Sequence, residues 1–314
     1  MKRIIKTYSF NLGVFALFLC ILLSSTLKAQ QATQFSQYMY NNLGINPAFA
    51  GNRGALSLFG MHRSQWVGFE DAPVSYLFSA HTPIQNSRLG FGLSFSTESI
   101  GPLDDTNASA DVSYWIPLNE RFRLSFGLRF NANFFNLSNN RLNPQQSLDP
   151  LLSNVGSEFN PNVGVGMFLH SQKTFIGLSV PTILRRSSID SDSFLAINTY
   201  RPTAYLYGGY VFEVFPFIKF KPATFLKFQE GAPLQVDITS NVLFYDKFTL
   251  GAAYRWDAAV SFLAGFQINQ RLFIGYTYDV ETTALQKYNS GSHEIFIRFE
   301  FFNRKDKLIS PRFF

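Results

Sequence analysis

The chain has 314 residues, 27 Lys and Arg against 21 Asp and Glu, and a single Cys. Charged residues make up only 15% of it while aromatics reach 17%, with 36 Phe, a balance that excludes a charge-rich nucleic-acid binder. One Cys excludes a disulfide framework or a cysteine zinc cluster, and ordinary Gly and Pro contents exclude a collagen-like chain.

In chain order, Lys2, Arg3 and Lys6 precede an apolar stretch from Phe10 to Leu23. Ser24, Ser25 and Thr26 then lead to Ala29-Gln30, the order of a secretory signal peptide cleaved after Ala29. Leu19 before Cys20 is a poor fit to lipidation, because a small residue is wanted there. Without residues 1–29 the balance is 23 basic to 21 acidic residues, and the Cys is gone. Residues 303–314 hold four more cations and one acid, so residues 30–302 carry 19 against 20. The high isoelectric point reports a targeting signal and a tail.

After Gln30 no run of eighteen apolar residues occurs, and what recurs is alternation with period two. From Phe122 to Phe134 every second residue is apolar, opposite Arg123, Ser125, Gly127, Arg129, Asn131 and Asn133. Residues 89–97, 234–244, 272–279 and 294–301 repeat the pattern. About fourteen such segments begin near residues 55, 73, 88, 107, 121, 161, 173, 203, 217, 233, 247, 258, 270 and 292. Many run for about 9–12 residues, the length that crosses a bilayer as a tilted strand. The boundaries within 203–228 are the least defined, because Tyr and Phe occupy both faces there.

Short turns are expected at Asn119-Glu120, Ser171-Gln172-Lys173, Tyr245-Asp246 and Asn269-Gln270, and long connections over 98–106, 136–160, 181–202 and 280–291. That alternation predicts an all-β, transmembrane antiparallel β-barrel of about 14 strands in the outer membrane of a Gram-negative bacterium. A secreted β-sandwich also alternates, but its opposed faces would not pair large aromatics with Arg, Asn and Asp so regularly. The expected divisions are a signal peptide (1–29), an N-terminal periplasmic arm or plug (30–52), the barrel (53–302) and a periplasmic tail (303–314).

Arg123, Arg129, Asn131, Asn133, Asp237, Asn241, Arg255, Arg298 and Glu300 are expected to line the lumen. Trp66 and Tyr114-Trp115 are expected in interfacial girdles. Phe35, Tyr38 and Tyr40 in the arm, and Arg312, Phe313 and Phe314 in the tail, are the expected partner contacts. No catalytic, metal or cofactor residue is assigned. The four His lack metal-ligand spacing, and in Ser292-His293-Glu294 strand neighbours point to opposite faces.

The run Gln34-Phe35-Ser36-Gln37-Tyr38-Met39-Tyr40-Asn41 is followed by Asn46-Pro47-Ala48-Phe49-Ala50-Gly51, Arg63-Ser64-Gln65-Trp66-Val67-Gly68-Phe69 and Ala72-Pro73. Further matching pieces are 159–166, 175–181, 251–255, 275–279, 291–295 and the ending Ser310-Pro311-Arg312-Phe313-Phe314. Together these resemble the PorP/SprF family of type IX secretion system outer-membrane proteins. Ala32-Thr33 departs from an expected Asp-Pro, and Thr97-Glu98-Ser99 from an Asn/Asp-rich turn. The resemblance implies a non-enzymatic role in protein export, possible involvement in gliding motility, and no cofactor. The implied partners are outer-membrane lipid, the periplasmic ring lipoprotein, the outer-membrane translocon and the C-terminal domain of an adhesin-like cargo, with no nucleic acid. The competing expectation is a porin or hydrophobic-substrate transporter.

Overall fold

The computed structural model describes residues 38–137, 158–187 and 199–301. The chain enters through two short helical turns, Asn42–Ile45 and Pro47–Phe49, and then builds fourteen strands. They are β1 (Leu56–Ser64), β2 (Val74–Pro83), β3 (Leu89–Ile100), β4 (Leu103–Pro117), β5 (Arg123–Leu137), β6 (Glu158–His170) and β7 (Thr174–Val180). The second half is β8 (Thr203–Tyr210, continuing as Phe212–Phe215), β9 (Ile218–Gln229), β10 (Gln235–Phe244), β11 (Phe248–Arg255), β12 (Ala259–Gln267), β13 (Leu272–Glu281) and β14 (Ser292–Phe301).

Each strand pairs antiparallel with its neighbours in sequence, and β1 pairs with β14 from Leu56↔Phe301 to Ser64↔His293. The sheet therefore closes into a 14-stranded antiparallel barrel with no free edge, the form in which strands can cross a bilayer. No described helix is long and apolar enough to cross a membrane. β8 is interrupted at Val211, beside Pro222 of β9, which has no N–H to give to a ladder. A separate two-residue ladder joins Arg186–Ser187 to Thr199–Tyr200.

The turns at the end where β1 begins and β14 finishes are short, and several are held by one side chain. Asn119 Oδ1 accepts from the N–H groups of Arg121 and Phe122, and Asn269 Oδ1 from those of Arg271 and Leu272. Tyr245 and Asp246 both have positive φ, the tight hairpin turn whose twist matches its strands. At the opposite end, called here the loop end, the connection expected over 98–106 is not a loop. β3 runs to Ile100 and β4 starts at Leu103, leaving Gly101-Pro102 as the turn. The polar residues read as loop continue the ladder, with Thr97 and Ser99 bonded outward to Thr106 and Asp104.

The outer wall carries the apolar face. Along β5, Phe126, Leu128, Phe130 and Phe134 point out, and Phe130 remains 60% exposed. The inner wall is mixed rather than polar. Phe59, Phe168, Phe175, Phe225, Phe273 and Phe296 turn inward and form one buried cluster with Tyr38, Met39, Tyr40, Leu43, Ala48 and Phe49. The Phe surplus thus serves two surfaces, a lipid-facing coat and a core inside the lumen.

Candidate functional site: a plugged lumen

Residues 38–55 descend inside the barrel from the loop end to the start of β1. Tyr38 packs on Phe225 at 4.4 Å between ring centres, and Tyr40 on Phe273 and Phe296 at 5.5 and 4.9 Å. Burial holds both phenols above their ordinary range, Tyr40 at about 12, and the nearby Asp237 carboxylate adds to the effect at Tyr38. Both tyrosines, expected to meet a partner, are engaged by the lumen wall. Phe35, Arg312, Phe313 and Phe314 lie outside the described residues, as do the signal peptide and the tail.

Polar contacts tie the plug to strands around the barrel. Ser79 donates to Asn41 Oδ1 (3.1 Å), Ser179 to the Ile45 carbonyl (2.8 Å) and Ser113 to the Ala50 carbonyl (2.7 Å). Asn46 links the two helical turns. Its Oδ1 accepts from Ala48 N–H (2.9 Å) and its Nδ2 donates to the Met167 carbonyl (2.9 Å). Gly51 N–H donates to His81 Nδ1 (3.1 Å), and Asn52 Oδ1 lies 3.0 Å from His170 Nε2. These groups would otherwise be buried without partners, so the contacts fix one seating of the segment.

Glycine makes the close approach possible. A Cβ on Gly127 would stand 2.1 Å from Ala48 N, and one on Gly90 would stand 2.2 Å from the Ala50 carbonyl oxygen. Both faces are backbone, which cannot step aside.

Most of the inward-facing arginines pair with carboxylates. Arg129 Nε and Nη2 bond the two Asp111 oxygens (2.7 and 2.9 Å). The same guanidinium donates to the carbonyls of Gly44 (2.9 Å) and Leu43, so one residue clamps plug to wall. Arg255 pairs with Asp237 (3.1 Å), Arg53 with Glu300, and Arg298 approaches Glu300 at 3.8 Å while lying over the Phe273 ring. Arg63 bonds both Asp279 (2.8 Å) and Glu294.

All nine residues expected in the lumen stand on the inward-facing side of their strands. Arg129, Asn133, Asp237, Asn241, Arg298 and Glu300 are buried, and Asn131 and Arg255 partly so. Arg123 sits at the short-turn rim, exposed to water and stacked 4.6 Å over Trp115. Trp115 therefore faces inward, not into an interfacial girdle, while Tyr114 faces out. Trp66 lies in the β1–β2 connection, its Nε1 donating to Glu281 (2.9 Å). Ser292 and Glu294 point into the lumen and His293 to the outer wall, so that run assembles no nucleophile–base pair. Sequence reasoning missed Ser79, Ser113 and Ser179, each a small polar residue whose importance comes only from the segment packed on it.

The model of a family described as type IX secretion system membrane protein PorP/SprF matches residues 27–299. No curated protein matches the sequence. Among solved structures, the Acinetobacter baumannii outer membrane protein Omp33 is similar at 7% identity and a TM-score of 0.49, over 79% of this chain and 98% of that one. The Ralstonia pickettii toluene transporter TbuX is similar at 11% identity and 0.49, over 82% and 92%. The CymD monoaromatic hydrocarbon channel is similar at 12% identity and 0.47, over 88% and 95%.

Proposed function

The chain belongs to the PorP/SprF family of type IX secretion system membrane proteins, and from that membership we propose a non-enzymatic outer-membrane component of this system. In this reading it assists export or surface anchoring of cargo proteins, or docks the periplasmic ring. The short-turn end, where β1 begins and β14 finishes, faces the periplasm, and the loop end faces outward.

The observation that supports an anchoring or docking role over a conduit is the self-filled lumen. A segment held by Arg129, Ser79, Ser113 and Ser179 occupies the bore that a translocating chain would need. A separate translocon then passes the cargo, and this barrel works through its rims and outer wall.

Deleting the gene and following cargo in the medium and on the cell surface tests the reading, alongside flux through the purified barrel in liposomes. The expected result is lost secretion or lost surface retention, with no selective flux. Normal secretion and motility in the deletion strain, together with substrate-selective flux by the purified chain, would replace this reading with a transporter.

A further inference from the structure

Every hairpin at the short-turn end has a Lys or Arg in or beside its turn. Arg88 stands between β2 and β3, Arg121 and Arg123 between β4 and β5, and Lys173 between β6 and β7. Lys219 opens β9, Lys247 lies between β10 and β11, and Arg271 between β12 and β13. The acids of these turns are Glu120, Glu213 and Asp246, and two are already taken, Glu213 by Lys173 (3.2 Å) and Asp246 by Lys219 (2.5 Å). Arg88, Arg121, Arg123, Lys247 and Arg271 are exposed and have no ion-pair partner among the described residues. Beyond Phe301 the sequence adds Arg304, Lys305, Lys307 and Arg312 against Asp306, side-chain charge of the same sign.

Two of these cations share one support. The Arg123 guanidinium lies over the Trp115 ring at 4.6 Å and that of Arg88 over the same ring at 5.8 Å. Trp115 N–H donates to the Arg88 carbonyl (3.0 Å), which ties the β2–β3 turn to β4 at this point. An indole face positions a guanidinium without consuming its N–H donors, so both keep the planar fork that matches a carboxylate. Like charges held against one ring also repel each other, and a bound anion relieves that repulsion.

Position selects the kind of anion. Trp115 and Arg123 stand on the inward side of β4 and β5, while Tyr114 and Phe126 occupy the outward side of the same strands. Lipid headgroups gather against the outward side, so this stack is turned away from them. The exposed, unmatched cations also stand on different turns around the barrel, a spread that one small anion cannot span. A protein face bearing several Asp and Glu carboxylates meets them together, and complementary charge of this kind speeds and orients docking.

We propose that the short-turn rim is a docking face for a periplasmic protein with an acidic surface, and that the Arg88–Trp115–Arg123 stack holds its carboxylates. The partner's location rests on the orientation proposed above, with this end in the periplasm. Binding itself is a property of the purified barrel, so loss of the secretion role would leave it standing.

The test is fluorescence anisotropy of a labelled twelve-residue Asp/Glu-rich peptide with the full-length barrel in non-ionic detergent. Unlabelled peptide, a basic peptide of equal length, inorganic phosphate and a short-chain phosphatidylglycerol serve as competitors. The expected result is saturable binding of the acidic peptide, weakened by salt and about ten-fold weaker in the Arg88→Gln/Arg123→Gln variant. Lys287→Gln, an exposed cation at the loop end, should leave it unchanged. Retention of the heat-dependent gel-mobility shift of a folded barrel shows that each variant is assembled. Thiol labelling of Arg121→Cys should require permeabilised cells. Equal binding by the double variant, no binding of the acidic peptide, or displacement by phosphate or phosphatidylglycerol as readily as by unlabelled peptide would overturn the proposal. Ready labelling of Arg121→Cys on intact cells would overturn it too, by placing this rim outside.

Discussion

Arg129 and Asp111 face each other across β4 and β5 in a two-pronged ion pair, and the guanidinium reaches past it to the carbonyls of Leu43 and Gly44. Wall and plug thus share one buried charge. Asp111 is fully buried, so removing its partner strands a carboxylate, at a cost of about 3–5 kcal/mol. Arg129→Met should lower the temperature of the barrel's gel-mobility transition and loosen the plug, seen as channel openings in planar bilayers. Arg129→Met with Asp111→Leu should recover most of the thermal loss but not the closed lumen, because the carbonyls stay unclamped. A double variant as closed as the wild type would show that the clamp is dispensable.

Gly127 gives a test that leaves charge untouched. Ala at this position places a methyl 2.1 Å from Ala48 N and 2.3 Å from the Pro47 carbonyl carbon. Neither can rotate away, so the plug must shift. The only Cys of the chain lies in the predicted signal peptide, and a single Cys at position 48 therefore reports cleanly. Its labelling by a thiol reagent should rise at least ten-fold in a Gly127→Ala background. Gly60→Ala, whose methyl would find only Ile297 Cγ2 at 3.7 Å, should leave the rate unchanged.

Strand positions were legible wherever one face was lipid-facing, because Phe122 to Phe134 alternates without a break and β5 follows it. The inward aromatics were less so. Phe296 lies between Glu294 and Arg298 on a face otherwise charged, and its direction makes sense only with Tyr40 and Phe59 packed against it. The plug's seating had no periodic signal at all. It is set by complementary pairs far apart in sequence, such as Asn41 with Ser79 and Asn46 with Tyr207. The β3–β4 hairpin was misread for the opposite reason. Above the bilayer both faces of a strand can be polar, so Glu98 to Asp105 loses the alternation while keeping the ladder.

Phe130 lies in the middle of the outward apolar band of β5 and is 60% exposed. If that face meets hydrocarbon, Phe130→Arg costs about 2–4 kcal/mol, the penalty for a cation near the midplane. The same change at Tyr245, in a turn and 69% exposed, should cost under about 1 kcal/mol. Equilibrium unfolding from phospholipid vesicles in guanidinium measures both. Equal effects would mean that Phe130 is not lipid-facing.

Arg63, Asp279 and Glu294 form a second buried charge group, joining β1, β13 and β14 near the loop end. The group carries one cation against two carboxylates, so its two possible neutralisations are unequal. Glu294→Gln leaves the Arg63–Asp279 pair matched at 2.8 Å and replaces an ion by an amide that can still accept from the guanidinium. Arg63→Met takes the guanidinium from between two buried carboxylates, and breaking a buried pair in this way costs about 3–5 kcal/mol. The β1–β14 ladder closes the barrel at this seam, so the loss falls on closure itself. Arg63→Met should therefore lower the gel-mobility transition temperature well below that of Glu294→Gln, and Arg63→Met with Glu294→Gln should lie between them. If the two single variants unfold at the same temperature, the seam does not depend on its charge balance.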